Sequence, residues 1–482
     1  MTDRVITLES RADLTLDRYR RVAWEGATVR IGAEAGARIA AARAAFLRLI
    51  EQPGITVYGV TSGYGQQAKI RLDEAGRKAQ AKRPPYPDMA SFGPPMPERV
   101  TRGIVFARLA NFLGGHAAVS LPLAEAVAAL LDDPSLPLVP MDGLGGAGEI
   151  LALSHLFVPL AERVTLAEKE ALALINGSPM ASALIADSVL LAERRLAVAE
   201  EIFALAYEAF QAPREHLDEA LGTLWGDPHE TATLARMRAL IAGGTDRRRP
   251  YQAPVSFRIL PRLLARARRA EAEARRAAGV SLAAVTDNPV YLPPGDEADP
   301  AHPNGRIAST GGYHNAMAAP AMDELAAAYA DLCTLADRIA AKTLDGAISL
   351  LPDQLGTGDG ALPYLGCTPM ALVGYGEQAR RAAARTFLPG AESGGFGQND
   401  VATNSSFAWI GQAEAGRMLE SALATLALVA SQAFHATGRA VPPALAARLG
   451  QIRAAVPPLE GPTAPGPAAA QIAADFRAAI YP

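Results

Sequence analysis

Alanine- and leucine-rich stretches recur along this chain at residues 180–212, 257–278, 317–345, 370–387 and 406–437. Their apolar positions recur at a spacing near 3.6 residues, which places them on one stripe of a helix. Stripes of this length have to be buried, and other helices of the same kind are the available partners. Proline and glycine separate the stretches and stop each helix. Shorter helices are expected at 98–113, 121–131 and 149–160. Residues 1–55 read as a short strand-like start followed by helices ending near Glu51-Gln52-Pro53-Gly54. The tail 455–468 is proline-rich and reads as extended before a last short helix. No unit repeats at a fixed period of roughly 20 to 50 residues, so a solenoid is not expected. The expected fold class is all-α, with functional loops between helices.

At 482 residues, a prior of about 150 residues per domain would suggest three domains. One helical array can instead run the whole length. The expected division is an N-terminal region, 1–178, and a long-helix bundle with C-terminal helices, 179–482. The net charge of −4 provides no basic field for nucleic acid. The run Arg247-Arg248-Arg249 reads as a solvated loop. Cys333 and Cys367, the only cysteines, both fall in apolar segments and read as buried thiols, not as a disulfide or a zinc site. The seven histidines form no HExxH or HxH array, so no metal site is expected. There is no Gly-x-Ser-x-Gly elbow for a hydrolase triad. The N-terminus carries neither a secretory nor a transit pattern. No apolar run reads as the roughly 18 to 20 uncharged residues needed to cross a bilayer. The expectation is a cytoplasmic protein with no membrane or nucleic-acid partner.

Chemistry is therefore sought in the loops. Tyr58-Gly-Val-Thr-Ser-Gly-Tyr-Gly65 holds three glycines in eight residues, a composition that exposes tyrosine on a loop. A loop tyrosine serves as a general base where nearby positive charge favours its phenolate. Taken alone, the segment is equally a structural turn. Gly145-Gly-Ala-Gly148 runs into a helix beginning near Glu149, an arrangement that suits anions or close helix packing. It matches neither GxxxxGK[ST] nor a strand–GxGxxG–helix unit. Asn176-Gly-Ser178 reads as a helix C-terminal cap. In Gln252-Ala-Pro-Val-Ser-Phe-Arg258, Arg258 is either a carboxylate clamp or a surface ion pair. Gly311-Gly-Tyr-His-Asn315 and Gln398-Asn-Asp400 are further polar islands. Residues 82–97 carry six prolines and read as a loop, either a lid or an inert connection.

Taken together and in order, these segments resemble the aromatic amino acid ammonia-lyase superfamily, to which histidine and phenylalanine ammonia-lyases belong. The resemblance spans about Val5 to Phe434. The family's YGxNTGFG is similar to Tyr58–Gly65, and its RxxN before a glycine pair to Arg108-Leu-Ala-Asn111 with Gly114-Gly115. Its ASGDLxPLxH is similar to Gly146-Ala-Gly-Glu-Ile-Leu-Ala-Leu-Ser-His155, and its ALINGT to Ala173–Ser178. QxxYSxR is similar to Gln252–Arg258, TDNP is present as Thr286–Pro289, and GGNFHG is similar to Gly311–Asn315. The resemblance implies a bundle of long near-parallel helices of the ammonia-lyase and fumarase type with a smaller, loop-rich N-terminal region. It also implies a homotetramer whose active sites are shared by three subunits. Carried over position by position, Tyr58 and Tyr313 are the catalytic residues, with Tyr58 as base. Arg258, Asn176, Gln252, Asn399 and Tyr64 bind substrate.

One departure decides the expected chemistry. In the family an Ala-Ser-Gly tripeptide cyclises and loses water to give the electrophilic methylidene-imidazolone (MIO). Here the tripeptide is Gly146-Ala147-Gly148, and alanine has no hydroxyl to lose. No cofactor is therefore expected. Further departures are Thr61 for an asparagine, Glu149 for an aspartate, Val255 for a tyrosine and Asn399 where Glu or Gln is usual. Without an electrophile the barrier has to fall through a better leaving group or a ring that stabilises the developing carbanion. The ergothionase branch of the superfamily follows the first route, because its leaving group, trimethylamine, is already quaternary in the substrate. The expected activity is an MIO-independent carbon–nitrogen lyase acting on an amino acid or betaine and yielding an α,β-unsaturated aryl acid. The alternatives are another elimination or isomerisation on an aromatic amino acid derivative, or a catalytically silent homologue acting as a binding subunit.

Overall fold

The computed structural model describes residues 4–295, 300–357 and 365–482. It is built from helices with three small two-stranded sheets among the described residues, which agrees with the all-α expectation. The chain divides into two compact units. The first takes residues 1–187, 274–320 and 386–409, and the second takes 188–273, 321–385 and 410–482.

In the first unit, the strand Val5–Leu8 pairs in parallel with Thr28–Ile31. The helix Glu98–Leu113 begins immediately after Pro97 and ends at Gly114, where proline and glycine punctuation places its ends. It is buried on nearly every face from Val100 to Leu113. That burial includes Arg102 and Arg108, so their polar atoms need tertiary acceptors. Arg102 Nε donates to the Val22 carbonyl at 3.0 Å. The helix Ala33–Ile50 presents Ala42, Ala45, Phe46, Leu49 and Ile50 to a core shared with Val57, Val60 and Tyr291. Phe46 and Tyr291 meet edge to face at 5.4 Å. This core anchors the segment that carries Tyr58.

In the second unit, the fully buried Arg195 meets the fully buried Glu420 at 2.8 Å. Tyr207, Phe210 and Phe257 form an aromatic cluster, with the Phe210 and Phe257 rings stacked at 4.0 Å. In the arginine run Arg247 is exposed, as expected of a solvated loop, but Arg248 and Arg249 are not. Arg248 pairs with the buried Glu208 at 2.8 Å, and the Arg249 guanidinium lies 4.3 Å from the Phe210 ring centre. A buried carboxylate and an aromatic face, which a charge count does not reveal, draw these two inward.

Other boundaries also move. The helix expected from 257 is Leu260–Ala283, preceded by a separate turn Val255–Arg258. Pro261 tolerates only a first-turn position and sets that start. The helix expected to reach 387 stops at Ala382. The last helix, Pro465–Ile480, has 16 residues and starts inside the stretch expected to be extended, with proline in its first turn. Cys333 is buried, and burial pushes its thiol up. Cys367 is exposed, contrary to expectation, because it sits just ahead of the helix Thr368–Ala382 and outside its apolar face. One stretch, Glu170–Ala209, is apolar enough over 18 residues to cross a bilayer, which corrects the reading of the sequence. Since 94% of that window is buried within the protein, the stretch belongs to the core.

Candidate active site

The segment Val57–Gly65 is fixed from both sides. Val57 and Val60 enter the core. Thr61 Oγ1 accepts from the Val57 amide at 2.7 Å and donates to the Ile55 carbonyl at 3.2 Å, so the threonine closes the turn by itself. Gln80 donates to the carbonyls of Gly59 and Ser62 at 2.9 and 3.3 Å. Held in this way, Tyr58 is half-buried, and its hydroxyl oxygen accepts from the Gly65 amide at 3.0 Å. The amide leaves the hydroxyl's own proton free for another acceptor.

Four of the polar segments converge in one braced floor. The Asn111 carboxamide oxygen accepts from the Thr286 amide at 2.9 Å. Asn176, at the C-terminus of the helix Glu170–Ile175, donates to the Asn288 carbonyl at 2.9 Å. The Ser178 amide donates to Thr286 Oγ1 at 3.0 Å, and its hydroxyl to the Gly312 carbonyl at 3.2 Å. Gly177 adopts φ +110°, and a Cβ there would stand 2.9 Å from both the Thr286 carbonyl oxygen and its hydroxyl, so only glycine fits. Lys169 pairs with Asp287, both fully buried. Arg108, also fully buried, donates to the Ala173 carbonyl at 2.9 Å. Burial lowers its guanidinium to about 10, opposed by the charges of Asp287 and Glu149.

Glu149 follows the glycine loop and caps a helix other than its own. Its two carboxyl oxygens accept from the Met180 and Ala181 amides at 2.6 and 2.7 Å, at the N-terminus of the helix Pro179–Ala209. Burial pushes this carboxyl up to about 8, against the pull of those two amides and of Arg108. A carboxyl raised in the folded state favours the protonated form. Its contribution to stability is therefore complete below the ordinary value of 4.5 and is lost as pH rises through about 8. Glu149→Gln is expected to flatten this fall. Denaturant midpoints measured across pH 5 to 9 check it; equal slopes in the two proteins would refute it.

Thr403 holds the degenerate tripeptide. Its amide donates to the Gly146 carbonyl at 3.0 Å, and its hydroxyl to the Gly148 carbonyl at 3.3 Å. The Tyr313 side chain also adjoins the loop, 3.6 Å from where a Cβ on Gly148 would stand. A cavity of about 610 Å³ opens beside this loop. Its lining includes Tyr58, Tyr64, Gly146, Ala147, Gly148, Asn176 and Asn399, so seven of the expected positions come together. Tyr313 adjoins the loop without being among the lining residues. Gln252 and Arg258 are exposed residues of the second unit and are also not among them. An MIO group would need an eliminable hydroxyl at Ala147, which has only a methyl group, so the residues present do not fit it.

Two residues of this site escaped the sequence reading. Thr403 has no motif to mark it. Asp88 lies among the six prolines of 82–97, on a single turn, Tyr86–Asp88, and contributes to the cavity wall. That segment is tied at its far end, where the Met96 amide donates to the Val139 carbonyl at 2.8 Å. Burial raises the Asp88 carboxyl. It also raises the Tyr64 hydroxyl, with Asp88 adding to the rise and Arg83 opposing it.

Residues 14–163 and 160–456 match the model of the aromatic amino acid lyase family. The chain is 28% identical to a histidine ammonia-lyase of Streptomyces avermitilis, over 87% of this chain and 85% of that protein. The tyrosine aminomutase of Streptomyces globisporus superposes with a TM-score of 0.83 at 26% identity, covering 96% of this chain and 95% of its own. The ergothionase of Treponema denticola shares the fold, with a TM-score of 0.87 at 18% identity over 98% and 99% of the two chains. With the motif order, the braced floor and the family match in agreement, the chain belongs to the aromatic amino acid lyase family.

Proposed function

We propose that this protein is a carbon–nitrogen lyase that works without MIO, on an aryl amino acid derivative whose amine is already quaternary. The observation that carries the reading is Ala147 at the centre of the tripeptide, in a cavity that keeps Tyr58, Tyr64 and Asn176. An electrophile serves to make a primary amine leave. A trimethylammonium group leaves as neutral trimethylamine and needs no such activation.

In the reaction, Tyr58 as phenolate takes the β-proton of the substrate. The C–H electron pair becomes the new carbon–carbon double bond, and the C–N bond breaks with its pair going to trimethylamine. The products are an α,β-unsaturated aryl carboxylate, the free amine and a neutral Tyr58, which returns its proton to solvent or amine. If the substrate is ergothioneine, the acid is thiourocanate. Tyr313, packed against Gly148, keeps the loop in place beside the reacting carbon. The protein assembles as a homotetramer with shared sites. Arg258 and Gln252 of one copy thus bind the carboxylate of a substrate held in the cavity of another.

A spectrophotometric screen tests this. Ergothioneine, its sulfur-free trimethylated parent, histidine, phenylalanine and tyrosine are offered, and the conjugated acid is followed by absorbance. Turnover confined to the two quaternary substrates is the expected result. Turnover of the free amino acids would sink the MIO-independent reading, and silence on all five would remove this substrate class.

A further inference from the structure

We propose that Asp88 is the anionic half of a cation-recognition site, completed by the face of Tyr64, which selects a substrate with a permanent positive charge of the quaternary ammonium class. The inference rests on the lyase reading above and adds the residue that makes the choice. Asp88 is the one charged side chain among the cavity's described lining residues. Around it stand glycines, Ala147, Ile150, Leu151, Leu172, Ile175 and a few neutral polar groups. Its carboxylate forms no hydrogen bond or ion pair with the described residues. Arg83, whose charge reaches Tyr64, makes no ion pair with Asp88.

A half-buried carboxylate without a partner is unfavourable, and a cation brought into the cavity relieves it. Tyr64 supplies the second element, since an aromatic face attracts a cation at short range. The chemistry of the wall favours a methylated cation. A primary ammonium seeks several hydrogen-bond acceptors, whereas most of the described lining is glycine or aliphatic. Methyl groups need no acceptors and pack against the apolar lining. Asp88 is fixed for this role because its turn is closed on both sides. Its amide donates to the Pro85 carbonyl at 3.1 Å, and the Met89 amide to the Tyr86 carbonyl at 3.0 Å.

The test is a pair of ligands of nearly equal shape, N,N,N-trimethylhistidine and the isostere in which a tert-butyl carbon replaces the quaternary nitrogen. Binding is measured by calorimetry in the full-length Tyr58→Phe protein, so that nothing is consumed. The cation is expected to bind at least about tenfold tighter than the isostere. Adding Asp88→Asn should bring the two within about threefold, mainly by weakening the cation, with the isostere changed by less than about twofold. The isostere thus reports that the cavity is intact, and Asp88→Glu should restore part of the preference. The proposal is overturned if Asp88→Asn leaves the preference standing, if both ligands weaken together, or if neither binds the parent. A charge preference that vanishes in Asp88→Asn while the screen gives no turnover would fault the lyase reading alone. Turnover with no charge preference would fault only the role of Asp88.

Discussion

Tyr58→Phe is expected to lower kcat on a quaternary ammonium substrate by about 10²- to 10⁴-fold while changing its dissociation constant by less than about threefold. The substitution removes one oxygen from a side chain whose position is set elsewhere. Val57 and Val60 anchor the segment in the core, and Thr61 closes its turn. Among the described residues the lost oxygen bonds the Gly65 amide alone, on a half-exposed residue where water can replace it, so the penalty to folding is about 1 kcal/mol or less. Stopped-flow absorbance of the unsaturated acid separates the two constants. A kcat within fivefold of the parent would show that the base is another group.

Glu420→Ala is expected to destabilise the protein by roughly 3–5 kcal/mol, because it strands a guanidinium with no exposure to water. Arg195 Nε and Nη2 both donate to Glu420 Oε1, at 3.0 and 2.8 Å. The Tyr481 hydroxyl donates to the same oxygen at 3.1 Å, and Arg477 reaches Oε2 at 3.2 Å. Arg195 keeps only the Tyr329 and Tyr481 hydroxyls once the carboxylate is gone, and neither carries a compensating charge. Replacing both members by residues of similar volume, Arg195→Met with Glu420→Leu, is expected to recover most of the loss, since no buried charge then remains. Guanidinium unfolding midpoints for the two single variants and the double variant check this. A double variant as unstable as Glu420→Ala would mean that packing, not charge, is at stake.

The helices were legible where the chain punctuates them. Glu98–Leu113 sits between Pro97 and Gly114 as expected, and Ser405–Thr437 falls within one residue of its expected start. Their period is local, and so it survives in the sequence. The start at Leu260 was misread because an apolar pattern continues through Phe257, while the backbone obeys Pro261. At the site, Tyr58, Asn176 and the tripeptide were found because each sits in an ordered series of motifs. Asp88 was hidden for the converse reason. A carboxylate in a proline-rich loop has no period and no partner in sequence, and only the closing of the chain around Tyr64 gives it a chemical setting. The arginines at 248 and 249 failed in the same way, because Glu208 and Phe210 lie about forty positions earlier.

The floor that joins Asn111, Asn176, Ser178, Thr286 and Gly312 is cross-braced by hydrogen bonds between distant segments. Asp88, by contrast, stands on one turn closed by local hydrogen bonds, from its own amide to Pro85 and from the Met89 amide to Tyr86. The two parts of the cavity's surroundings thus differ in how many distant segments one substitution disturbs. Substitutions in the floor are therefore expected to cost more stability than substitutions at position 88.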